Sequence, residues 1–599
     1  ERAPANALAR KLLAATELKL GNGAKAEEIL IPLAPEKSND PTVLALMGEI
    51  RLRAKDYTKA EQYLERAFSL APNPALRTDL ALTRLAQGDS ERSMADLEAA
   101  SAASPGFVKA DSVLIAAFLG KKEYDQALEA IARLEKKLPN SPVTFNLKGV
   151  AYLGKNDETT ARANFERALA LQPGYFPAAA NLAQLDLKGG NAQAAKRRFE
   201  TVLVNDKSSL PAMLALANLA QRDRREAEYV SWLERAAKVA PSAAQPRLLL
   251  ARYYIAKREP AKALTLAYAI SAANPGSAEI LDVLGSAQLA AGERDNALAT
   301  YRKLVAAAPS SPLAYYRLAN AQLAAKQADE ARRSLKRALE LKPDFIDAQE
   351  SLTALEIATG RFAEAIALAQ HTQQRFPRLP AGFALEGDAW MAQKQYPKAA
   401  SLYEAARQRG PSGLLAIKLD RAYTLAGKPG EGEMPLLQWL KDHPEDAPTR
   451  LYYAGSLAGR GQRKPAIEQY QLLLRRNPGD VVALNNLASA MQEEHDPRAL
   501  GYAEQAYKLQ PGNPGVLDTL GWILVGQGQA SRGIDLLRQA LSKAPDSAVL
   551  QYHLAAALAQ SGDKERAKAE LQRLLDSGVS FPQEQEARSL LRQLQGAVR

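Results

Sequence analysis

Four histidines are the side chains of this sequence best suited to metal binding or proton transfer. They are His371, His443, His495 and His553. They are widely separated along the chain, and we expect each to be an ordinary hydrogen-bonded or solvent-facing histidine. The run Glu493-Glu494-His495-Asp496 looks like a set of metal ligands, but consecutive residues of a helix point in different directions and share no common centre. Pro497 follows directly and indicates a turn, so no metal site is predicted.

Motifs of the common enzyme classes are missing from the sequence. It contains no Gly-x-Ser-x-Gly, no His-Glu-x-x-His, no phosphate-binding Gly-x-x-x-x-Gly-Lys-Ser/Thr and no cysteine. The glycine-rich stretch 427–432 precedes no strand–helix unit, and we interpret it as a turn between helices. The sequence therefore predicts no catalytic residues, no cofactor and no enzyme activity.

Positive charge suggests a different kind of partner, because Lys and Arg exceed Asp and Glu by 78 to 67, a net charge of +11. The densest cluster is Arg332, Arg333, Lys336 and Arg337, and a second is Lys196, Arg197 and Arg198. We expect these residues to form a solvated, outward face of a helix, with no aromatic side chains interleaved for stacking on bases. Nucleic acid is therefore not expected. A basic polymer-binding role, on acidic polysaccharide or nucleic acid, remains the alternative function.

The elements that position these residues follow from a repeat in the prolines. With 599 residues, the chain is several times longer than an ordinary domain of roughly 100 to 200 residues. Prolines recur every 33 or 34 residues, with one double step across Lys207: Pro72, Pro105, Pro139, Pro173, Pro241, Pro275, Pro309, Pro343, Pro377, Pro411, Pro444, Pro478, Pro511 and Pro545. Because proline stops helices, each marks the junction between two repeated units.

Small residues recur in register with these prolines. Glycine or alanine stands 24 residues before a junction at Gly48, Gly149, Gly285, Gly387, Gly521, Ala183, Ala217, Ala251 and Ala319. Alanine stands 12 residues before it at Ala60, Ala127, Ala161, Ala263, Ala297, Ala331, Ala365, Ala399 and Ala466. A further alanine closes the unit at Ala67, Ala168, Ala236, Ala338, Ala406 and Ala540. Between these two alanines, four residues after the first, stands a large apolar residue such as Leu64 or Tyr403. Spacings of three and four place these positions on one helical stripe, and we expect two helices to touch where the residues are small.

This 34-residue pattern of two helices resembles the tetratricopeptide repeat over nearly the whole chain. The resemblance implies an all-α, right-handed superhelical solenoid of about 17 helix-turn-helix repeats. We expect a repeat-like segment at 1–38, a continuous array of about 16 repeats at 39–579, and a capping helix and tail at 580–599. Phe581, Leu590, Leu591 and Leu594 give the last helix its apolar stripe.

In such repeats the first helices form a concave wall, which is where binding is expected. The inward positions predicted as binding candidates are Asn146, Asn218, Arg252, Asp282, Tyr316, Asn320, Asp388, Arg421, Asn485, Asn486, Asp518 and Trp522. This mixed polar set suits an extended peptide, a partner loop or a polysaccharide. The basic and amide residues with which related adaptors clamp a C-terminal carboxylate are missing as a set.

Several stretches also resemble one family, the tetratricopeptide-repeat lipoproteins of PEP-CTERM/exosortase exopolysaccharide loci, of the PrsT type. They include Tyr175–Ala183, Leu484–Ala488, Asp518–Trp522 and Tyr552–Ala555. The resemblance implies a scaffold at the periplasmic face of the outer membrane. Members of this family are longer and start with a lipidated cysteine. This sequence is shorter and contains no cysteine, so we expect a fragment without its N-terminal repeats.

The sequence thus predicts a non-catalytic scaffold that mediates protein–protein interactions in exopolysaccharide assembly, export or PEP-CTERM protein sorting. Protein partners are expected in the concave groove, with exopolysaccharide as a further partner. The expected location is the periplasm, with membrane attachment only through an N-terminal lipid anchor outside this sequence.

Overall fold

The structure is a computed structural model that describes residues 6–33, 35–104 and 106–596. Those residues form 35 α-helices, two short 3-10 helices at Ile31–Leu33 and Pro35–Lys37, and no strand. Helix-to-helix contacts divide the chain into two compact units, residues 1–300 and 301–599, with the division inside one helix. The prediction of an all-α repeat solenoid is confirmed.

The helices of the first unit, in chain order, are α1 Ala7–Lys19, α2 Gly23–Leu30, α3 Pro41–Arg53, α4 Tyr57–Leu70, α5 Pro74–Gln87, α6 Ser90–Ala103, α7 Lys109–Gly120, α8 Tyr124–Lys137, α9 Pro142–Gly154, α10 Glu158–Leu171, α11 Phe176–Lys188, α12 Ala192–Asn205, α13 Leu210–Arg222, α14 Glu226–Val239, α15 Ala244–Ala256, α16 Pro260–Ala273 and α17 Ala278–Ala290. Helix α18, Arg294–Ala307, contains the division between the units.

The helices of the second unit are α19 Pro312–Ala324, α20 Ala328–Leu341, α21 Ile346–Ala358, α22 Phe362–Arg375, α23 Ala381–Ala392, α24 Tyr396–Arg409, α25 Gly413–Leu425, α26 Pro429–Asp442, α27 Ala447–Gly459, α28 Arg463–Arg476, α29 Val481–Glu493, α30 Ala499–Leu509, α31 Pro514–Gly526, α32 Ala530–Lys543, α33 Ala548–Gln560, α34 Lys564–Asp576 and α35 Glu584–Gly596. Odd-numbered helices up to α33 are the first helices of 17 pairs, even-numbered helices are the second, and α35 stands alone at the end.

The junction prolines that the structure describes lie between a second helix and the next first helix, as the period predicts. Pro173 follows α10, and Pro478 follows α28. Pro105 lies outside the described residues. The run around His495 is a turn, as predicted, because His495 has a φ of 57° between α29 and α30. The stretch 427–432 is only partly a turn: Gly427 has a φ of 80°, but α26 begins at Pro429 and contains Gly430 and Gly432.

The predicted small positions are where paired helices cross. A Cβ atom at Gly48 of α3 would lie 2.6 Å from Cγ of Leu64 in α4, and one at Gly387 of α23 would lie 2.5 Å from Cε1 of Tyr403 in α24. All the alanines predicted 12 residues before a junction, Ala331 among them, are fully buried, as are those that close the second helices. Close approach of the backbones therefore depends on these residues having little or no side chain.

Helix α35 covers the end of the array, as predicted. Leu591 and Leu594 are buried with Leu571 and Leu574 of α34 in one apolar cluster, which Phe581 joins. The outer face of α35 carries charged side chains such as Arg588, 56% exposed and paired with Glu584. Within the part of the chain that the structure describes, no helix has the length and apolar character needed to cross a membrane.

Candidate inner-wall binding surface

First helices lie next to each other within each unit, and we call the surface formed by their exposed sides the inner wall. Many of them contact the next first helix as well as their own second helix, as α5 contacts α7 in the first unit and α31 contacts α33 in the second. Among the described residues, successive second helices do not pack against each other to the same extent. Polar residues on the exposed side of the first helices therefore lie along one continuous surface, on which the sequence places its binding candidates.

In the first unit, candidates such as Asn146 and Arg252 are already engaged within the chain. The amide of Asn181 in α11 donates a 3.0 Å hydrogen bond to Oδ1 of Asn146, which is only 8% exposed. Arg252 of α15 forms an exposed ion pair with Glu279 of α17 at 3.1 Å. Asn218 of α13 is exposed to solvent and Asp282 of α17 is half-buried. Asn218 is therefore a candidate of this unit whose side chain is accessible to a partner.

In the second unit, Asp388 is the centre of a polar cluster. Its carboxylate on α23 accepts a 2.7 Å hydrogen bond from the hydroxyl of Tyr403 in α24. It also forms an ion pair with Lys418 of α25, with both oxygens within 2.8 Å of Nζ. Burial, followed by the charge of Asp388, raises the pKa of Tyr403 well above its usual value, so the phenol keeps its proton and remains the donor.

Near the end of the second unit, Asp518 and Trp522 both contact His553, which is not among the binding candidates. Both carboxylate oxygens of Asp518 in α31 lie within 2.9 Å of Nδ1 of His553 in α33. The imidazole also stacks on the indole of Trp522, with ring centroids 5.1 Å apart and planes inclined by 21°. His553 therefore has the ordinary partners that the sequence predicts for it, and it holds two binding candidates in one fixed arrangement.

The remaining candidates of the second unit are less engaged. Arg421 of α25 is exposed and forms no ion pair with any residue that the structure describes. Tyr316 of α19 packs on Phe345, with ring centroids 5.1 Å apart, and Asn320 is half-buried. Asn485 and Asn486 of α29 are half-buried, and Oδ1 of Asn485 is buried without a hydrogen-bond partner. Among the described residues, Arg421 is thus an exposed cation without an ion-pair partner.

Three engaged side chains that sequence reasoning missed are Lys418, Asn181 and His553. Each pairs with a first-helix residue 30 to 35 positions earlier, which is about one repeat along the chain. Complementary side chains separated by one repeat are the signal that could have found them. Binding by the twelve candidate residues stays a prediction.

The prediction for the basic clusters is wrong for three of their residues. Arg332 of α20 is only 8% exposed and pairs with Glu356 of α21 at 2.8 Å, as well as with Asp329. Arg198 of α12 pairs with the buried Asp186 at 2.6 Å, and Lys196 pairs with Glu228 at 3.1 Å. Charge pairing between helices, which the spacing within one helix does not show, draws these side chains into interfaces. Arg333 is 71% exposed, as predicted.

The described residues contain no group of three or more His, Cys, Asp or Glu side chains arranged to hold a metal ion. One groove of about 530 Å³ lies between α24 and α26, lined by residues such as Ser401, Glu404 and Lys428. The arrangement offers binding surfaces, with polar side chains pre-positioned along the first helices.

Comparison with protein families identifies the repeat. Models described as tetratricopeptide repeat match residues 152–220, 288–355 and 524–594, residues 78–142 and 355–413, and residues 41–74. Together these ranges cover more than half of the chain and lie in both units.

Two curated proteins are similar over part of the chain. The TPR repeat-containing protein PA4667 of Pseudomonas aeruginosa is 29% identical over 164 residues, which are 26% of this chain and 27% of that protein. Anaphase-promoting complex subunit 3 of Schizosaccharomyces pombe is 21% identical over 246 residues, which are 41% of this chain and 37% of that protein. The chain therefore spans well under half the length of either relative.

Among solved structures, the crystal structure of the APC/C hetero-tetramer Cut9–Hcn1 matches 86% of this chain and 96% of that chain, at 15% identity and a TM-score of 0.36.

Proposed function

This chain belongs to the tetratricopeptide-repeat family, and on that basis we propose that it is a non-catalytic scaffold that binds protein partners along the first helices. The observation that carries the proposal is the inner wall itself. Successive first helices present polar side chains side by side, and some of them, such as Arg421 and Asn218, remain exposed. An extended segment lying across several first helices could bond to these groups without distorting the stack.

The fixed pair of Asp518 and Trp522 supports an anchor point within this surface. Trp and Arg side chains carry much of the binding energy at protein interfaces, because they combine a large apolar area with a polar group. Trp522 is held by stacking on His553, so little conformational entropy is lost when a partner packs against it. Arg421 supplies a cation to an acidic group of the partner.

The proposed setting is the periplasm of a Gram-negative bacterium, in exopolysaccharide assembly, export or PEP-CTERM protein sorting. The resemblance of Tyr175–Ala183 and Asp518–Trp522 to the exosortase-associated lipoproteins supports this setting. Attachment to the outer membrane through a lipid anchor outside this sequence belongs to the same proposal. Exosortase and polysaccharide-export genes next to the coding gene, together with recovery in the periplasmic fraction, would be the expected findings; a cytosolic location would contradict the proposal.

The scaffold function is tested by affinity capture with single variants of the full chain. We expect Arg421→Ala and Trp522→Ala each to reduce recovery of a partner from periplasmic extract at least several-fold, with the circular dichroism spectrum unchanged. Arg333→Ala is the matched control, since Arg333 is exposed on a second helix, and it should recover as much partner as the native chain. Equal recovery by all the variants would exclude these inner-wall sites.

Salt dependence separates this function from the alternative of a basic surface that binds an acidic polymer. An inner-wall site with few charges should respond weakly to salt, whereas neutralising many anionic groups makes affinity fall steeply with salt concentration. The pairing of Arg332 and Arg198 with carboxylates removes two cations from such a surface. A steep salt dependence for an anionic polysaccharide would favour the alternative.

A further inference from the structure

One helix crossing in the second unit has an unusual composition. Where most pairs have glycine or alanine 24 residues before the junction proline, α25 has Asp420, and where most second helices have alanine, α26 has Gly432. A Cβ atom at Gly432 would lie 2.5 Å from Cα and 2.9 Å from Oδ1 of Asp420. The glycine thus provides the space that the carboxyl group occupies. Helices α25 and α26 therefore approach each other closely even though an ionisable group lies at the centre of their crossing.

The side chain of Asp420 is completely buried, and its two oxygens have different surroundings. Oδ2 accepts hydrogen bonds from the hydroxyl of Tyr452 at 2.9 Å and from Oγ of Ser456 at 3.2 Å, both in α27. Oδ1 is buried and has no hydrogen-bond partner. The carboxyl group therefore links α25 to the next first helix through one oxygen only.

Two charged groups face Asp420 from the neighbouring elements, Glu433 of α26 and Arg460, which directly follows α27. They largely compensate each other, because Arg460 donates to Glu433 at 3.1 Å, and Tyr453 donates to the same carboxylate at 2.6 Å. A carboxylate at position 420 would thus receive no direct ion pair. An ionised oxygen that is buried without a partner is strongly unfavourable, whereas the protonated group carries no charge.

Helix α26 and its contact with the following first helix are weaker than elsewhere, although α25 and α26 pack extensively on each other. Helix α26 contains Gly430, Gly432 and an internal Pro435, all of which lower helix stability. Among the described interfaces between a second helix and the following first helix, that of α26 with α27 is the least extensive. The connection between these two repeats therefore depends on the contact of α25 with α27, to which Asp420 contributes its bonds to Tyr452 and Ser456.

We propose that Asp420 holds a proton when α25 and α27 are packed together, and that its ionisation opens this connection, which makes it a pH-sensitive joint between two repeats. The joint acts independently of which partner the inner wall binds. In agreement with it, burial raises the pKa of Asp420 above its ordinary value, while the bonds from Tyr452 and Ser456 and the charge of Arg460 only partly oppose the effect.

The direction of the pH effect follows from the retained proton. A carboxyl group with a raised pKa in the packed state binds its proton more tightly there than in the open state. Its contribution to stability is fully present below the ordinary pKa of 3.8 and is lost as the pH rises through the higher value of the packed state. The population of the open joint should therefore increase with pH. The total increase should be about tenfold for each pH unit between the pKa of Asp420 in the open state and its pKa in the packed state.

The test is hydrogen exchange of the full chain, followed by mass spectrometry from about pH 5 to about pH 8 and corrected for the intrinsic pH dependence of exchange. In the native chain, exchange of amides in α25–α27 should rise with pH, while α5–α7, which contains no histidine, stays unchanged. Asp420→Asn should remove the rise, because an amide keeps the acceptor oxygen and cannot ionise. Asp442→Asn is the matched control at an exposed carboxyl of α26 and should behave like the native chain.

A second variant keeps the test decisive if Asp420→Asn does not fold. The pair Tyr452→Phe and Ser456→Ala removes both donors to Oδ2 and leaves the carboxyl group in place. Because those donors favour the ionised form, their loss should extend the pH-dependent rise to higher pH. A merely structural role would raise exchange equally at every pH. Exchange in α25–α27 that is independent of pH in the native chain would overturn the proposal.

Discussion

Single side chains in this protein act mainly through pairs between neighbouring repeats. Arg332 illustrates the energetics, because its guanidinium is nearly buried and its partner Glu356 is only 4% exposed. Burying two charges is unfavourable by itself, so the pair is stable only while both members are present. The removal of one member leaves the other as an uncompensated buried charge.

Arg332→Gln should therefore lower the free energy of unfolding by about 3 to 5 kcal/mol, because it leaves Glu356 buried without its main partner. The neighbouring Arg333, which is 71% exposed and pairs only with Glu330, provides the control. Arg333→Gln should change stability by about 0 to 1 kcal/mol. Thermal unfolding of the full chain measures both, and equal midpoints for the two variants would refute the burial argument.

At the scale of helices, crossings and polar links together set how the pairs pack. Glycine or alanine lets the two helices of a pair approach closely, as Gly387 does beneath Tyr403. A polar side chain of a first helix can then connect the second helices on either side of it. Arg84 of α5 contacts Glu61 of α4 and Asp96 of α6, and Asp186 of α11 contacts Arg162 and Arg198 of α10 and α12.

Gly387→Val tests a crossing directly. The added atoms would overlap the ring of Tyr403, which hydrogen bonding to Asp388 holds in place, so the helices must separate. We expect a loss of about 1 to 3 kcal/mol in stability, measured as a lower unfolding midpoint. Ala392→Val is the control, since Ala392 is exposed near the end of the same helix. An unchanged midpoint for Gly387→Val would contradict the assignment of the crossing.

At the scale of the whole molecule, each repeat contacts mainly its neighbours, so stability is expected to be local. In such arrays the total stability is approximately a sum of repeat and nearest-neighbour contributions. Disturbing one interface should therefore affect the adjacent pairs and leave distant ones unchanged.

Asp186→Asn provides the test of this locality. Burial raises the pKa of Asp186, but bonding to Arg198 and Arg162 outweighs that effect, so its pKa is lower than the ordinary value of 3.8. The carboxylate therefore stabilises the fold fully above pH 3.8, and this stabilisation is lost as the pH falls through the lowered pKa. At neutral pH the variant should increase hydrogen exchange in α10–α12, and α1–α4 should not change. The difference from the native chain should vanish in strong acid. Increased exchange throughout the first unit would mean that the repeats unfold cooperatively.

The sequence by itself determined the architecture. Proline every 34 residues, small residues at two fixed distances before it and alanine at the close predicted paired helices, their crossings and the final helix α35. These signals are local or strictly periodic, so they can be read without knowing which residues meet. The turn at His495 was predictable for the same reason, because proline follows it closely.

Only the tertiary structure decided which polar side chains have partners within the chain and which are exposed to solvent. Arg332 and Arg333 are adjacent in one helix and look alike in sequence, yet one is buried in an ion pair and the other is solvated. Asp420 occupies a position where the pattern favours alanine, and its donors lie 32 and 36 residues away. Periodicity specifies the helix face that a residue occupies. Whether a complementary group lies opposite depends on the individual residues of the adjoining repeats, which a repeating pattern leaves free to vary.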